Sequence, residues 1–397
     1  MRANRAVHAA RPLVEAMPSD SAQAIPNVDM NALEQLARSK LSPAIHDYFA
    51  SGSDTGRALR RNIDTLADIA ICPRRLRDVS TISLSTSLLG RQLSSPILVA
   101  PSAMHRLLHS DGESAVARAT AANNMGLVLS MWSTTPLEEV AKPFAEGTGL
   151  PLLQLYCLKD RGVVHELMAR AEVSGYQGFV VTVDSPATGG LTIDPREWIK
   201  FSQAMQLPHL PSVANPAISP LIRFESMKDP ALTFADLVAL QKKTRLPIWL
   251  KGILSPGDAV LAASWGFRGI ILSNHGGRRL DSEIAAVEVV SAVRRALDRA
   301  GFEVTLLVDG GIRHGNDAFK VLALGADAVM VGRAPLWGLA VGGEHGVAQV
   351  LKRLNEELVL AMKLIGCSAI GELTPEMIYV RPGSFAVDST TLWGAPR

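Results

Sequence analysis

The segment Thr305–Arg333, TLLVDGGIRHGNDAFKVLALGADAVMVGR, decides the fold. It contains an apolar run at Thr305–Val308, helical periodicity at Asp317–Leu324 and a second apolar run at Ala328–Val331. Neither run alternates between apolar and polar residues, which is typical of strands buried on both faces of a parallel sheet. A strand, a helix and a second strand in this order predict a parallel βαβ unit.

The same alternation of short apolar runs and helical patterns recurs from residue 96 onwards. Helical periodicity occurs at Glu113–Asn123, Val163–Ala171 and Asp258–Trp265, and a final helix is predicted at Gly346–Ile365. Eight strands with intervening helices predict an α/β fold, a (β/α)8 TIM barrel. A doubly wound sheet is disfavoured because its usual GxGxxG turn is missing from the sequence. The predicted strands are Ile97–Ala100, Leu127–Ser130, Leu152–Tyr156, Phe179–Val183, Ile248–Lys251, Gly269–Ser273, Thr305–Val308 and Ala328–Val331.

Composition excludes several classes of protein. The 397 residues include 40 Lys+Arg and 38 Asp+Glu, so the net charge of +2 provides no electrostatic footprint for nucleic acid. A hydrophobic fraction of 47% is too high for a disordered chain. Cys72, Cys157 and Cys367 are far apart and form no CxxC pair, which predicts no disulfide framework and no metal site. We therefore expect a globular protein of a reducing compartment.

The two ends of the chain are predicted to be tails. Residues 1–28 are rich in Ala and contain Arg2, Arg5 and Arg11, as a transit peptide would. Prolines at positions 12, 18 and 26 interrupt any long amphipathic helix, so we favour a plain tail and a cytoplasmic protein, with organellar targeting as the alternative. The barrel and its preceding helices are assigned to 29–370, and a C-terminal tail to 371–397.

A long proline-containing insert, residues 185–246, separates the fourth and fifth predicted strands. Loops of this length are uncommon in compact domains unless they have a function or are disordered. In a barrel this insert leaves the carboxyl-terminal face, where active sites are built. We predict a lid over the substrate; an insert that serves oligomer or membrane contacts is the alternative.

Polar residues follow all eight predicted strands, and in a barrel such strand ends bind ligands or carry catalysis. After strands seven and eight, Gly310, Gly311 and Gly332 allow backbone N–H groups to approach a ligand closely. Arg313 and Arg333 add charged donors, so the two strand ends predict a phosphate site. Ordinary glycine turns with solvated arginines remain the alternative.

His275 follows the sixth strand and precedes two glycines and Arg278. An imidazole in such a loop can act as a general base near neutral pH. Arg278 could hold a carboxylate through two parallel hydrogen bonds. Asp184, at the end of the fourth strand, is the natural partner to hold the imidazole and to stabilise its protonated form.

Several strings of sequence carry a resemblance to a known family: SNHGGRRLD at 273–281, LVDGGIR at 307–313, PILVAPSAM at 96–104, HSDGE at 109–113, QLY at 154–156, TVD at 182–184 and VGR at 331–333. They resemble the FMN-dependent 2-hydroxy-acid oxidases and dehydrogenases, a family that includes glycolate oxidase, lactate oxidase and mandelate dehydrogenase. The resemblance extends from about Asp29 to Cys367. It is specific because strings of seven and nine residues rarely match at the right barrel strands by chance.

The resemblance implies that FMN lies across the barrel mouth, with its phosphate at strands seven and eight. The isoalloxazine ring would lie over Ser102 and Ala103, and Lys251 would stabilise the anionic reduced flavin near its N1–C2 carbonyl. A buried lysine without such a role is costly. The implied cofactor-binding residues are Pro101, Ser102, Ala103, Ser130, Gln154, Thr182, Lys251, Ser273, Asp309, Gly310, Gly311, Arg313, Gly332 and Arg333.

The resemblance also implies the chemistry, oxidation of a 2-hydroxy acid to the 2-oxo acid. His275 would take a substrate proton while a hydride equivalent passes to flavin N5, and Asp184 would support the imidazolium. Tyr48 and Tyr156 would bind the substrate's oxygens, and Arg278 its carboxylate. Oxygen, a quinone or a carrier protein would reoxidise the flavin. Relatives are commonly homotetramers.

The sequence departs from the family after the fourth strand. The family continues Thr-Val-Asp-x-Pro-x-x-Gly-Arg-Arg-Glu, and its second arginine, which binds the substrate carboxylate, falls on Leu191. A lost hydrogen bond to a charged group costs about 1.5–3 kcal/mol, so we expect glycolate to be a poor substrate and a bulky or aromatic 2-hydroxy acid a better one. Arg196 could replace the missing arginine.

Two further readings stay open. The same flavin chemistry could act on a non-carboxylate alcohol, a lactone or an amine. The protein could also be a redox-silent flavin-binding protein, although the intact His275, Asp184 and Lys251 argue against this reading.

Overall fold

A computed structural model describes residues 29–187, 206–211 and 220–380. Within these residues the helices are α1 (Met30–Lys40), α2 (Pro43–Ala50), α3 (Arg57–Asp68), α4 (Gly112–Ala122), α5 (Leu137–Ala141), α6 (Arg161–Val173), α7 (Pro220–Met227), α8 (Phe234–Gln241), α9 (Pro256–Ser264), α10 (Val290–Arg299), α11 (Gly315–Ala323) and α12 (Arg333–Ile365). The strands are β1 (Ile69–Ile71), β2 (Thr86–Leu88), β3 (Arg91–Leu93), β4 (Ile97–Val99), β5 (Gly126–Leu129), β6 (Leu150–Leu155), β7 (Phe179–Thr182), β8 (Ile248–Ile253), β9 (Gly269–Leu272), β10 (Thr305–Asp309), β11 (Ala328–Val331) and β12 (Ile378–Val380).

The eight strands β4 to β11 form a closed barrel in sequence order, with β11 pairing back to β4 and every pair parallel. The predicted TIM barrel is therefore confirmed, and each strand begins and ends within two residues of its predicted bounds. The agreement has a simple cause. Side chains on both faces of these strands are buried, so each strand appears in the sequence as a continuous apolar run.

The barrel interior is filled with side chains. Trp249 on β8 occupies space beside β9, where a Cβ at Gly269 would lie 1.9 Å from the indole, so glycine is required there. The hairpin β2–β3 contributes Leu88 and Leu93 to the same apolar cluster as the inward-facing barrel residues. The interior is thus a packed core, and ligands must bind at the ends of the strands.

The amino-terminal helices approach the mouth of the barrel. Asp29 and Ser42 cap α1 and α2, because their side chains accept hydrogen bonds from backbone N–H groups of the first turn. The backbone N–H of Ser53 donates to the carbonyl of Gly277 at 2.8 Å, which ties the segment before α3 to the loop after β9. A Cβ at Gly277 would lie 2.4 Å from the backbone nitrogen of Leu59, so this contact needs glycine.

Three segments have structure that the sequence-based assignments did not specify. The predicted insert 185–246 contains the helices α7 and α8. Residues 378–380, assigned to the tail, form β12, which pairs antiparallel with β1. The predicted last helix, Gly346–Ile365, corresponds to the second part of α12, which is interrupted by non-helical angles at Gly342 and Gly343, whereas the part that begins at Arg333 was not predicted. No helix in the described stretches has both the length and the apolarity to cross a membrane.

Candidate active site

An open cavity at the carboxyl-terminal ends of the strands encloses about 1520 Å³, including the solvent at its mouth. The structure brings most of the predicted site residues together on its wall. Asp184 and Ser273 lie behind the wall, and Leu191, like Arg196, falls outside the described residues. The predicted residues on the wall are Tyr48, Pro101, Ser102, Ala103, Ser130, Gln154, Tyr156, Thr182, Lys251, His275, Arg278, Asp309, Gly310, Gly311, Arg313, Gly332 and Arg333.

One end of the cavity fits a phosphate group. Gly310 and Gly311 have φ angles of 101° and 81°, and a Cβ at Gly311 would lie 2.2 Å from the carbonyl oxygen of Asn62. Helix α12 begins here, and no side chain caps its first N–H groups. A Cβ at Gly332 would meet no described atom within 4 Å. Uncapped helical N–H groups beside open space are suited to binding an anion.

The two predicted phosphate arginines are anchored by the protein itself. Arg333 donates to the carbonyls of Phe49 at 2.8 Å, Gly276 at 3.1 Å and Ser51 at 2.9 Å. Burial lowers the pKa of Arg333 to about 9. Arg313 donates to Glu34 at 2.8 Å. Both guanidinium groups therefore hold the amino-terminal helices against the cavity as well as lending it positive charge.

Polar side chains from three successive strands line the opposite end of the cavity. The amide oxygen of Gln154 accepts from the backbone N–H of Met131 at 3.2 Å, and its nitrogen donates to the hydroxyl of Thr182 at 3.0 Å. The hydroxyl of Ser130 accepts from the N–H of Trp132 at 3.1 Å. These bonds fix the three side chains in place. A wall that forms hydrogen bonds with the polar edge of a planar ring needs side chains that are held in this way.

Lys251 places a buried ammonium group on the cavity wall. Its ammonium donates to the hydroxyl of Ser273 at 2.8 Å and lies 3.2 Å from Asp309 Oδ2. Burial disfavours the charged amine, but the carboxylates of Asp309 and Asp184 outweigh it and raise the pKa of Lys251. Asp309 Oδ1 is buried with no hydrogen-bond partner among the described residues, which leaves an acceptor for a bound group. Ser273, fully buried, acts by holding Lys251 rather than by facing the cavity.

His275 and Asp184 form the hydrogen-bonded pair that the sequence predicts. His275 Nδ1 lies 2.8 Å from Asp184 Oδ1. The imidazole is 21% exposed and faces the cavity, whereas the carboxylate is 4% exposed. Burial lowers the pKa of His275 to about 3, against the opposing effect of Asp184, and the positive charges of Arg279 and Lys251 lower it further. Burial disfavours the Asp184 carboxylate, but His275, Lys251 and Arg279 hold its pKa below the usual range.

Of the two arginines that follow the glycines after His275, only Arg278 was predicted as a site residue, yet Arg279 lines the cavity as well. Arg278 donates to the carbonyls of Tyr48 at 2.6 Å and Ser51 at 3.0 Å, and its guanidinium carbon lies 5.0 Å from the centre of the Tyr48 ring. Arg279 also lines the cavity, with Nη2 3.5 Å from the hydroxyl of Tyr156. The signal was present in the sequence, as a second arginine directly after the first.

An aromatic cluster beside the cavity was also missed. The rings of Trp132 and Phe224 are 4.0 Å apart between centroids, and those of Tyr156 and Phe224 are 5.5 Å apart. Trp132 and Tyr156 line the cavity, together with Glu225 from α7. Phe224 and Glu225 lie within the insert, where no periodic pattern marks them as site residues. The wall next to Tyr156 therefore combines aromatic rings with the charged groups of Glu225 and Arg279.

The FMN-dependent dehydrogenase family model matches residues 37–380. The chain is 40% identical to the L-lactate oxidase of Nostoc sp. over 361 residues, which covers 89% of this chain and 98% of that protein. It is 39% identical to glycolate oxidase 3 of Oryza sativa subsp. indica, with 87% and 94% covered.

Two solved structures have a similar fold. Mandelate oxidase with (S)-2-phenylpropionate superposes with a TM-score of 0.79 at 35% identity, covering 89% of this chain and 98% of the other. A flavocytochrome b2 variant with pyruvate bound has a TM-score of 0.81 at 30% identity, with 94% and 90% covered. The chain therefore belongs to the FMN-dependent dehydrogenase family and is an FMN-dependent oxidoreductase that acts on the CH–OH group of 2-hydroxy acids.

Proposed function

We propose that this enzyme oxidises 2-hydroxy acids with a bulky or aromatic side chain to the 2-oxo acids, with His275 as the base. The observation that carries the proposal is the 2.8 Å contact between His275 Nδ1 and Asp184, on a cavity wall shared with Tyr156. The bond to Asp184 orients the imidazole, so that its other nitrogen is the one that faces the cavity.

His275 accepts the proton that the substrate loses during oxidation. Its pKa of about 3 keeps the imidazole neutral at physiological pH, as a base must be. Asp184 then stabilises the imidazolium that forms, because the carboxylate is charged, buried and in direct contact with the ring. The hydroxyl of Tyr156, 3.5 Å from Arg279, would hold a substrate oxygen.

Bound FMN supplies the two-electron acceptor for the oxidation. Asp309, Gly310, Gly311 and Gly332 would hold its phosphate end, and Ser130, Gln154 and Thr182 the polar edge of its ring. Lys251 contributes a buried positive charge that Asp309 and Ser273 keep in position. Such a fixed charge costs no reorganisation when negative charge develops nearby.

The aromatic wall supports the choice of substrate. Trp132 and Tyr156 line the cavity and Phe224 packs against both rings, a surface that suits a flat apolar side chain. Mandelate oxidase, at 34% identity and a TM-score of 0.80, has been solved with (S)-4-hydroxymandelic acid, whose side chain is aromatic. By the same reasoning, glycolate gains nothing from this wall.

A neutral substrate is the second candidate. An arginine-to-leucine variant of mandelate oxidase has been solved with 2-hydroxy-phenylacetamide, the uncharged amide of mandelate. The leucine at position 191, where the family has an arginine, makes this comparison relevant. Oxygen, a quinone or a carrier protein could reoxidise the flavin, and the names of the oxidases among the relatives favour oxygen.

The test is anaerobic bleaching of bound FMN by a substrate panel: glycolate, L-lactate, (S)-mandelate, a long-chain L-2-hydroxy acid and 2-hydroxy-phenylacetamide. We expect mandelate to bleach the flavin fastest and glycolate slowest. Faster bleaching by the amide than by mandelate would favour the neutral substrate. Absence of bleaching by every compound in a protein that holds FMN would refute the proposal and support a redox-silent role.

A further inference from the structure

The cationic side chains on the cavity wall differ in how completely the protein engages them. Lys251 is held by Ser273 and Asp309, and Arg278 by two backbone carbonyls. Arg333 donates to three carbonyls, and Arg313 binds Asn31 and Glu34. Each of these four groups therefore meets an acceptor of the protein at short distance.

Arg279 is the exception among the described cations of the wall. Its one hydrogen bond, from Nη2 to the hydroxyl of Tyr156, is 3.5 Å long, at the limit of what counts as a bond. Its Nε is buried and has no partner among the described atoms. A buried donor left unmatched costs free energy, so this guanidinium is poised to bind an acceptor that enters the cavity.

The position of Arg279 suits the anionic end of a substrate. It shares Tyr156 with the proposed substrate site, and its charge acts on both His275 and Asp184. Glu225 and Asp184 are the acidic groups whose charges act on it. A carboxylate held by Arg279 and Tyr156 would place the adjacent carbon, which bears the hydroxyl, next to His275.

We propose that Arg279 binds the substrate carboxylate and replaces the contact that the family obtains from the arginine at position 191. The inference rests on the proposed function, since it specifies which group recognises the acid. It predicts that the enzyme remains selective for carboxylates in spite of Leu191. The neutral-substrate alternative predicts the opposite, because a charged carboxylate site would then have no role.

The test separates binding from turnover. Phenylacetate has the carboxylate but no hydroxyl to oxidise, so its dissociation constant, from the change in the FMN spectrum, reports recognition alone. In the holoenzyme, Arg279→Met should raise the dissociation constant of phenylacetate by about 10- to 150-fold, which is the loss expected for one charged hydrogen bond. Phenylacetamide binding should change by less than about threefold. Arg279→Lys should retain part of the affinity, because it keeps the charge but not the forked geometry.

Three controls make the result specific. Arg268→Met removes an exposed arginine that contacts Phe302 and does not line the cavity, so phenylacetate affinity should be unchanged. If Arg279→Met loses FMN or melts at a lower temperature than the wild type, Arg279→Gln replaces it in the binding measurement. Leu191→Arg in the Arg279→Met background should restore phenylacetate binding.

Each outcome of these measurements tests either the role of Arg279 or the proposed function. Equal weakening of phenylacetate and phenylacetamide, or no change in either, would overturn the role of Arg279, and so would a wild-type holoenzyme that binds no phenylacetate. A wild-type enzyme that binds phenylacetate through Arg279 but oxidises no 2-hydroxy acid would instead refute the proposed function and leave the carboxylate site standing.

Discussion

His275 and Asp184 come from strand ends that are 91 residues apart in sequence, yet their side chains meet at 2.8 Å. His275 has a φ of 58°, a left-handed conformation that is uncommon outside glycine and in which asparagine, aspartate and histidine are the enriched residues. Its backbone N–H donates to Ser273, the residue that also holds Lys251. One short loop thus positions both the base and the buried cation.

The pH dependence should reflect the low pKa of His275. Burial lowers this pKa to about 3, Asp184 opposes the effect, and Arg279 and Lys251 add to it. The free enzyme therefore carries a neutral base above this value, and kcat/KM should show no inflection from His275 between about pH 5 and 8. A bound carboxylate offsets the charge of Arg279, so the pKa seen in kcat should be higher than that seen in kcat/KM. A kcat/KM profile that decreases as the pH is lowered, with an inflection near pH 6.5, would contradict this account.

Lys251 and Asp309 should be coupled in stability. Lys251→Met leaves the Asp309 carboxylate buried and unpaired, which should cost about 3–5 kcal/mol in the free energy of unfolding. Adding Asp309→Asn should recover most of that loss without restoring the rate of flavin reduction, since the cation stays absent. Thermal melts and single-turnover rates of the two single variants and the double variant check this; a double variant no more stable than Lys251→Met would refute the coupling.

Gly332 should matter for FMN and not for folding. A Cβ at this position meets no described atom within 4 Å and lies at the phosphate end of the cavity. Gly332→Ala should therefore melt near the wild-type temperature but bind FMN about 5- to 150-fold more weakly, the usual cost of overpacking a filled site. Gly371→Ala, also in open space but outside the cavity, is the matched control. Equal FMN affinity in both variants would mean that the phosphate lies elsewhere.

Glu113 should hold two loops of the site together. Its carboxylate accepts from the backbone of His105 at 3.0 Å, the backbone and hydroxyl of Thr134 at 2.9 and 2.7 Å, and the hydroxyl of Thr135 at 2.9 Å. Glu113→Ala leaves these buried donors unmatched and should destabilise the protein by about 3 kcal/mol or more. Glu139→Ala, which removes an exposed carboxylate that accepts one bond from Ser114, should cost less than about 1 kcal/mol. Denaturant unfolding of the two variants distinguishes them. Equal losses in the free energy of unfolding would argue against the role of Glu113 in holding the two loops together.

The sequence predicted the barrel well because each barrel strand has a strong local signal. Strand β11 begins and ends where the apolar run Ala328–Val331 does, since both of its faces are buried. The pairing of β1 with β12 had no such signal. These strands have three residues each and lie about 300 residues apart, so their partnership depends on the folded barrel.

The candidate site was predictable where strand ends carry it. The predicted strand ends located Lys251 and the pair His275–Asp184, because the carboxyl ends of parallel strands meet at one face. The inward position of Arg279 was not predictable. It depends on the positive φ angles of His275, Gly276 and Gly277, which set the direction of the chain before the two arginines. Phe224, which packs against Trp132 and Tyr156, was missed because it lies in the insert, whose path no periodicity encodes.

The most direct test of the account compares wild type with His275→Asn in a single anaerobic turnover. Asparagine tolerates the left-handed backbone of position 275, so the variant should fold, remain yellow and bind phenylacetate like the wild type. Mixed with (S)-mandelate, it should reduce its flavin at least about 100-fold more slowly than wild type, because the base is missing. A rate within about threefold of wild type, with FMN fully bound, would contradict the assignment of His275 as the base and with it the proposed mechanism.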